Sequence, residues 1–512
     1  MNTMNQNKNE LPKTWIISTL GEICSKPQYG WTTKANPTNG NLKLLRTTDI
    51  TSGSVDWKTV PYCTEEPDDI NKYLLQSGDI VISRAGSVGV SYLLTNVVNA
   101  VFASYLIRFK PREPIDKRYV YYFLKSPDYW AAIGASKLGI AVPNVNATKL
   151  SKVAIPLAPP KEQKIIVAEI EKQFSRLDEA VAALNRIKAN LKRYKASVLK
   201  SAVEGKLTEK WRKQSPDVES ASKLLKRILT ERRRRGEGSE LERMKAKGKE
   251  PKDDKWKNKY KEPVKPDTFK LSELPEGWVW ATPEILALYE ENAICAGPFG
   301  TIFKARDFRP EGIPIIFLRH VVPGKYLTSK PGFMDATKWE ELFKPYSVYG
   351  GELLITKLGE PPGVCAMYPK NIGPAMVTPD VIKMSVNDKA VESYFLMHYF
   401  NSQVARNFAT RLAFGTTRLR VTLPIFRNLP VPLPPMEEQK QIVNEVDQKL
   451  SIIDEIESDL VNNLQRADCL RQSILKKAFS GKLISSLYKE PPDNNHLCAS
   501  KSSIKTELTK EV

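Results

Sequence analysis

The stretch PLAPPKEQKIIVAEI at residues 156–170 decides the architecture, because it occurs a second time as PLPPMEEQKQIVNEV at residues 432–446. Gln163 of the first copy aligns with Gln439 of the second, which is an offset of 276 residues. This spacing is far too long for a solenoid repeat. The chain is therefore a duplicated pair of domains, and the duplication predicts a pseudo-twofold symmetric molecule.

Two further stretches repeat around this motif. Downstream, KASVLKSAVEGKL at 195–207 recurs at the same offset as RQSILKKAFSGKL at 471–483. Upstream, LPKTWIISTLGEI at 11–23 is similar to LPEGWVWATPEIL at 274–286. Each copy of the unit is thus a globular block followed by a helical block.

A long helix is predicted after each Pro-rich stretch, over 159–205 and 434–481. Its apolar residues recur every three or four positions, which is the spacing of a coiled-coil seam. The seam comprises Ile170, Phe174, Leu177, Val181, Leu184, Leu191 and Val198, then Val446, Leu450, Ile453, Leu460, Leu464 and Ile474; the same stripes include Ile187, Tyr194, Ile442, Ile456 and Ala467. Equal lengths and matching seams favour pairing of the two helices over packing of each helix on its own domain. Antiparallel pairing is expected, because it places a globular block at each end.

The globular blocks, 11–158 and 271–433, are predicted to be α+β domains. DIVISRAG at 79–86 is typical of a strand and parallels GELLITKLG at 351–359. The stretch 118–134 predicts two helices broken at Ser126-Pro127, and ESYFLMHYFNSQVARNFA in the second block parallels it.

The segment 206–270 differs from both blocks. It holds 22 basic and 12 acidic residues, a net charge of +10, with few aliphatic residues beyond a short basic helix around Leu224 and Ile228. We expect a flexible or single-helix basic linker. Residues 1–10 and 482–512 are expected to be disordered tails.

The whole chain of 512 residues carries a net charge of +20, which favours a polyanionic partner. A basic linker beside neutral domains explains only half of that charge. The chain has no apolar run of 18 residues and no signal peptide, so we expect no membrane span and a cytoplasmic location. Its six cysteines form no CxxC pair, which indicates reduced thiols.

The repeated PP…EQ entries, the GKL endings and GKLTEKWR at 205–212 resemble the specificity subunits of type I restriction–modification systems, the last stretch resembling their enterobacterial branch. The resemblance covers nearly the whole chain. It implies two target-recognition domains, 11–158 and 271–433, that alternate with two helices forming an antiparallel coiled coil. The long basic segment 206–270 departs from this plan.

The resemblance also implies a function. Each recognition domain would read one half of an interrupted, asymmetric double-stranded DNA sequence, and the helices would fix the spacing. Two methyltransferase subunits would methylate adenine with S-adenosylmethionine. Two restriction subunits would add ATP/Mg-dependent translocation and cleavage.

The sequence itself shows no catalytic constellation. Its three histidines lack metal-ligand spacing, and no Gly-rich phosphate loop is present. The Asp/Asn-Pro-Pro-aromatic signature of amino-methyltransferases is missing, and Pro379-Asp380 with Lys383 is more typical of a turn than of a nuclease site. We therefore expect a non-catalytic subunit with no metal and no cofactor of its own.

DNA reading is then expected from polar and basic side chains on loops, since these pair with base edges and phosphates. The candidates in the first block are Arg46, Thr47, Thr48, Ser83, Arg84, Lys137, Asn144, Asn146 and Lys149. Those in the second are Arg319, His320, Thr356, Lys357, Thr416, Thr417, Arg418 and Arg420. For each residue the alternative is a solvated loop charge or a structural cap.

Two other classes of function stay open from the residues alone. One is a coiled-coil scaffold that joins two globular modules without reading DNA. The other is a self-sufficient nuclease or methyltransferase, which would need the motifs that the chain lacks.

Overall fold

A computed structural model describes residues 11–137, 145–248, 251, 253–267, 271–298, 302–359, 361–415 and 419–485. The chain divides into two compact units. Unit 1 comprises Met1–Asn185 with Leu460–Val512, and unit 2 comprises Arg186–Asp459.

Unit 1 contains the first globular block. Its strands are β1 Ile16–Thr19, β2 Gln28–Tyr29, β3 Ala35–Asn36, β4 Lys43–Leu45, β5 Tyr62–Cys63, β6 Ile80–Ser83, β7 Ser91–Leu93, β8 Ala100–Phe102, β9 Leu106–Phe109 and β10 Ala154–Leu157. Its helices are α1 Leu20–Ile23, α2 Thr47–Ile50, α3 Ile70–Tyr73, α4 Lys117–Phe123, α5 Pro127–Lys137, α6 Ala147–Ser151 and the first part of α7 Pro160–Val203.

Unit 2 contains the second block. Its strands are β11 Val279–Ala281, β12 Ile294–Ala296, β13 Phe308–Arg309, β14 Ile313–Ile316, β15 Val321–Val322, β16 Lys325–Tyr326, β17 Gly332–Met334, β18 Ser347–Val348, β19 Leu353–Thr356, β20 Cys365–Met367, β21 Ala375–Val377, β22 Val381–Met384 and β23 Val431–Leu433.

The helices that complete the chain are α8 Glu209–Gln214, α9 Ala221–Ala246, α10 Pro283–Leu286, α11 Ala336–Lys338, α12 Ser393–Asn401, α13 Gln403–Leu412, α14 Leu423–Arg427, α15 Met436–Phe479 and α16 Lys482–Ser485. Short 3-10 turns cover Asp254–Lys259, Ala305–Asp307, Leu318–His320 and Lys344–Tyr346, and a π-helical turn covers Trp339–Phe343. The last part of α15, with α16, belongs to unit 1.

The two blocks share one sheet plan, which confirms the duplication. An antiparallel sheet has the order β2-β9-β6-β7 in unit 1 and β12-β22-β19-β20 in unit 2. A second sheet has the order β3-β5-β4-β8 and β13-β17-β14-β21-β18, with a parallel β4–β8 pair matched by a parallel β14–β21 pair. The entry and exit strands close each block as the pairs β1–β10 and β11–β23.

The repeated sequence motifs form the same contacts twice. The indole nitrogen of Trp15 donates a hydrogen bond of 2.8 Å to Glu162, and that of Trp278 donates one of 2.8 Å to Glu438. In unit 2, Glu438 also accepts from Thr208 and Arg212 of the GKLTEKWR stretch. The LP…W and PP…EQ motifs are therefore partners that join the entry strand to the start of the long helix.

A glycine ends each long helix against the same motif. Gly205 and Gly481 have φ of +69° and +76°, the left-handed conformation that favours glycine at a helix end. A Cβ at Gly205 would meet Pro275, and one at Gly481 would meet Pro12. The end of α7 thus abuts the entry of the second block, and the end of α15 abuts the entry of the first.

The long helices pair in an antiparallel manner within each unit. Unit 1 packs the first part of α7 on the last part of α15, where Arg471 pairs with Asp178 and its guanidinium lies 4.5 Å from the ring centre of Phe174. Unit 2 packs the last part of α7 on the first part of α15, where Lys195 lies 3.1 Å from Asp454. These contacts confirm the expected orientation.

The expected seam is mostly buried or half-buried. The buried members are Ile170, Val198, Val446, Ile453, Leu460 and Ile474; the half-buried members are Phe174, Leu177, Val181, Leu184, Leu191, Leu450 and Leu464. Ile187, Tyr194 and Ile456 are exposed, so the stripe is narrower there than the spacing predicts. No helix of the described chain is long and apolar enough to span a membrane.

The segment expected to be a linker carries a docked helix. Leu224 and Ile228 of α9 are buried in the hydrophobic core of unit 2. Arg232 is buried as well, and it donates to the Ala287 carbonyl at 2.9 Å and to Glu284 at 3.0 Å. Of the flexible and single-helix alternatives for this segment, the structure shows a helix at Ala221–Ala246, and this helix packs on the second block because its few aliphatic residues and Arg232 face that block.

Candidate nucleic-acid interface

The structure gathers most of the first block's candidates at one edge of unit 1. We define the first loop edge as residues 46–48, 83–85, 103–105 and 145–149. Backbone hydrogen bonds join these loops: Ala103 donates to Leu45 at 2.9 Å, Arg84 donates to Tyr105 at 2.9 Å, and Val145 donates to Arg84 at 3.1 Å. Residues far apart in sequence therefore become neighbours at the ends of β4 and β6.

Unit 2 has an equivalent loop edge, which is formed by different residues. We define the second loop edge as 317–320, 356–358, 378–380 and 419–421. Its three equivalent backbone bonds are Thr378 to Ile316 at 3.1 Å, Lys357 to Asp380 at 2.8 Å and Val421 to Lys357 at 2.9 Å. Each edge then leads into a short helix capped by a side chain, Asn146 for α6 and Thr422 for α14.

One glycine allows the close approach in each edge. A Cβ at Gly30 would overlap the carbonyl oxygens of Phe102 and Ala103, and one at Gly297 would overlap the Val377 carbonyl oxygen. Only a residue without a side chain fits beside these turns. The glycines in QYGW and GPFG are the sequence signals of this packing.

Arg84 is held at the first loop edge by an aromatic ring. Its guanidinium carbon lies 4.9 Å from the ring centre of Tyr29. The hydroxyl of Tyr29 accepts a hydrogen bond of 2.9 Å from the Ala147 backbone. Stacking on a tyrosine orients a planar guanidinium, the group that pairs bidentately with guanine.

Arg420 is held at the second loop edge by a carboxylate. Its guanidinium lies 3.6 Å from Asp380, and both side chains are partly exposed. Lys357 lies beside this pair. Its burial, and to a lesser extent repulsion from Arg420, lowers the pKa of its ammonium group below the ordinary value. Asp380, which the sequence placed in a turn, thus orients an arginine.

Four of the candidate side chains are buried at the loop edges, where they support the backbone. The buried Ser83 hydroxyl donates to the Ala85 carbonyl, and the buried Thr356 hydroxyl accepts from the Val364 backbone. His320 is 1% exposed, and burial lowers its pKa. Lys357 is 4% exposed. A phosphate or base edge would reach none of these side chains without rearrangement.

The accessible candidates are mainly cations and amides. Arg46 is half-buried and pairs with Asp49 at 2.8 Å, and Thr47 beside it is half-buried with its hydroxyl oxygen covered. Arg319 donates to the Lys330 carbonyl and stacks on Phe317. Thr48, Asn146, Lys149 and Arg319 are exposed.

Other candidates lie outside the described residues. They are Asn144, Thr416, Thr417 and Arg418. Lys137 is the last residue of α5, and its side chain also lies outside the described part. In the sequence, Asn144 directly precedes segment 145–149 of the first loop edge, and residues 416–418 directly precede segment 419–421 of the second.

Sequence reasoning missed the aromatic residues. Tyr105 is 61% exposed in the turn of the first loop edge, and Phe414, which pairs through its backbone with Arg420, is 53% exposed. Exposed aromatic side chains stack on or insert between bases. Their sequence signal is weak, because most aromatic residues of such domains are core.

Neither edge shows a metal-binding arrangement. Among the described residues, no group of three or more His, Cys, Asp or Glu side chains could hold a metal ion. What the edges do offer is arginine, lysine and amide donors on preformed backbone, together with exposed aromatic rings. This set suits nucleic acid.

Comparison with known proteins gives consistent matches. The family model described as "Type I restriction modification DNA specificity domain" matches residues 12–193 and 326–466. The EcoKI specificity subunit of Escherichia coli (strain K12) is 25% identical over 498 residues, covering 94% of this chain and 92% of that protein. The EcoBI specificity subunit of Escherichia coli is 27% identical over 381 residues, covering 74% and 68%.

A solved structure supports the fold. A chain from a study of complex assembly and conformational transition of the type I R-M system matches with a TM-score of 0.61. It is 16% identical, and the match covers 92% of this chain and 99% of that chain.

Proposed function

This chain belongs to the family of type I restriction modification DNA specificity subunits, and on that premise we propose that it reads a bipartite, asymmetric duplex sequence. Each loop edge reads one half. The proposal rests on one observation: the two loop edges have equivalent backbone hydrogen bonds but carry different side chains. Arg84 stacks on Tyr29 in the first, whereas Arg420 pairs with Asp380 in the second.

Different side chains on equal backbones select different bases. Arginine pairs bidentately with guanine, and asparagine with adenine, while lysine and hydroxyl groups hold phosphates. The first loop edge offers Arg84 and Asn146, and the second offers Arg319 and Arg420. We therefore infer two unlike half-sites and an asymmetric target.

The chemistry is assigned to partner subunits. We propose that two methyltransferase subunits supply S-adenosylmethionine and methylate adenine at the site that this chain selects. Two restriction subunits would supply the ATP/Mg-dependent translocation and cleavage. In this scheme the chain is a non-catalytic subunit that binds DNA and positions its partners.

Methylome sequencing tests the proposal directly. A host that expresses this chain with its methyltransferase partner should carry methyladenine at one interrupted, asymmetric motif, and omission of the chain should remove it. The purified chain alone should transfer no methyl group. Methyl transfer by the isolated chain, or a complex that shows no salt-sensitive affinity for duplex DNA, would contradict the proposal, the second result favouring a scaffold.

A further inference from the structure

Helix α9 is fixed to the second block by one face. Its buried residues Ala221, Leu224, Ile228, Arg232 and Gly236 recur every three or four positions. The guanidinium of Arg232 lies 5.1 Å from the ring centre of Tyr289, besides its bonds to Glu284 and Ala287. A helix anchored in this way holds its opposite face in one orientation.

The opposite face of α9 is basic. Lys223, Lys226 and Arg234 are exposed and lie on one side of the helix at 100° per residue, away from Leu224 and Ile228. The first and last of these cations are separated by roughly 16 Å of helix axis, at about 1.5 Å per residue. Cations on one face over such a length can contact more than one phosphate of a nucleic-acid backbone.

Neighbouring cations form salt bridges, whereas these three form none within the described residues. Arg233 pairs with Glu237 and Arg235 pairs with Glu231. Within the described part of the chain, no carboxylate lies within salt-bridge distance of Lys223, Lys226 or Arg234. Of the run 232–235, Arg232 is therefore buried, Arg233 and Arg235 are paired, and Arg234 is the one arginine without a salt bridge among the described residues.

We propose that the outer face of α9, defined by Lys223, Lys226 and Arg234, binds the phosphate backbone of duplex DNA without reading its sequence. This inference rests on the proposed function, because it assumes that the chain binds duplex DNA. Charge complementarity favours DNA as the occupant, since the segment 206–270 carries +10 and no base-reading edge. An acidic surface of a partner subunit is the competing occupant.

The test uses the full-length chain and a labelled duplex of arbitrary sequence, because phosphate contacts are independent of sequence. The variant is K223Q/K226Q/R234Q. The control is K13Q/K58Q/K370Q, which removes three exposed lysines of the two blocks and lowers the net charge equally. Dissociation constants are measured from about 50 to about 200 mM salt, over which phosphate contacts have a large effect.

The α9 variant should reduce the slope of log K against log salt by about two to three, since each phosphate contact contributes about 0.9. Its affinity at low salt should fall roughly tenfold or more, while the control stays near the unmodified chain. The methylated sequence should not change.

Each other outcome overturns the inference. Equal slopes for the α9 variant and the control would mean that this face contacts no phosphate. Normal DNA binding with weakened capture of the methyltransferase subunit would assign the face to an acidic protein. If the unmodified chain, alone and with its methyltransferase, binds no duplex at all, the proposed function itself fails.

Discussion

Gln163 and Gln439 show why the repeated motif contains glutamine. The amide oxygen of Gln163 accepts from the Asp116 backbone, and its nitrogen donates to the Ala158 carbonyl. Gln439 makes the same pair of bonds, to the Glu392 backbone and the Pro434 carbonyl. Glutamate lacks the donor and asparagine is shorter, so glutamine alone joins the long helix to the start of α4 or α12.

Replacing Gln439 with alanine should destabilise unit 2 by about 1–3 kcal/mol, because it leaves the half-buried Glu392 N–H and the buried Pro434 carbonyl without these partners. Chemical denaturation would measure the loss. Gln448→Ala on the same helix is the matched control, since that side chain is exposed and should change stability by less than about 0.5 kcal/mol. Equal effects of the two substitutions would refute the role assigned to Gln439.

Substitution of Arg420 tests base reading by the second loop edge most directly. Arg420→Ala should weaken binding to the methylated motif by about 1–3 kcal/mol, which is the range for one bidentate base contact, and relax selection within one half-site. Methylome sequencing and equilibrium binding would show both effects. Arg411→Ala removes an exposed arginine of α13 and should leave the motif intact. Unchanged selection in Arg420→Ala would exclude it as a reader.

At the scale of elements, the two blocks differ in how the entry helix meets the helix before the exit strand. In unit 1, Gly21 of α1 packs closely on Ser151 of α6. In unit 2, the equivalent residues are Glu284 of α10 and Arg427 of α14, which lie 3.6 Å apart. Because Glu284 also binds Arg232, α9 is linked to the helix that begins at the second loop edge.

Glu284→Gln should destabilise unit 2 by about 1–3 kcal/mol, since it leaves the buried Arg232 without its compensating charge. The loss is smaller than for a fully buried pair because the Glu284 side chain is itself 29% exposed. Denaturant titration would measure it. Glu231→Gln breaks the solvated pair with Arg235 on the same helix, so it should leave the stability close to that of the unmodified chain. If the two variants were equally stable, the Arg232 contact would contribute nothing.

Local patterns predicted the elements well and their contacts poorly. The strand in DIVISRAG, its counterpart in GELLITKLG, and the helix break at Ser126-Pro127 all follow from short-range signals, and the structure confirms them. The docking of α9 depends on Glu284 and Ala287, more than fifty residues away. Charge composition suggested a solvated segment, because one buried arginine cannot be distinguished from its neighbours in a basic run.

For the whole molecule, the duplication predicted two equivalent blocks, and the candidate residues chosen by loop chemistry lie in three of the four segments of each loop edge. Neither the duplication nor the loop chemistry could predict which of these side chains face outward. Ser83 and Thr356 are the last residues of β6 and β19, and both side chains point inward and support the following turn. Such choices depend on backbone bonds between loops that are distant in sequence.

Domain exchange tests both modularity and the place of α9. Replacing 271–433 with a recognition domain from a related subunit should change one half of the methylated motif, because each block has its own sheets and its own loop edge. That chimera keeps α9 but removes Glu284, Ala287 and Tyr289, so Arg232 would face a foreign surface. Replacing 206–433 instead exchanges α9 together with the residues of the second block that it contacts.

We therefore expect the longer exchange to be more stable by about 1–3 kcal/mol unless the donor carries an acidic residue at the position of Glu284. Denaturation of both chimeras measures this difference, and methylome sequencing reports the motif. A change in both halves of the motif would contradict independent reading by the two blocks. Equal stability of the two chimeras with a donor that lacks the acidic residue would instead show that α9 is not an integral part of the second block.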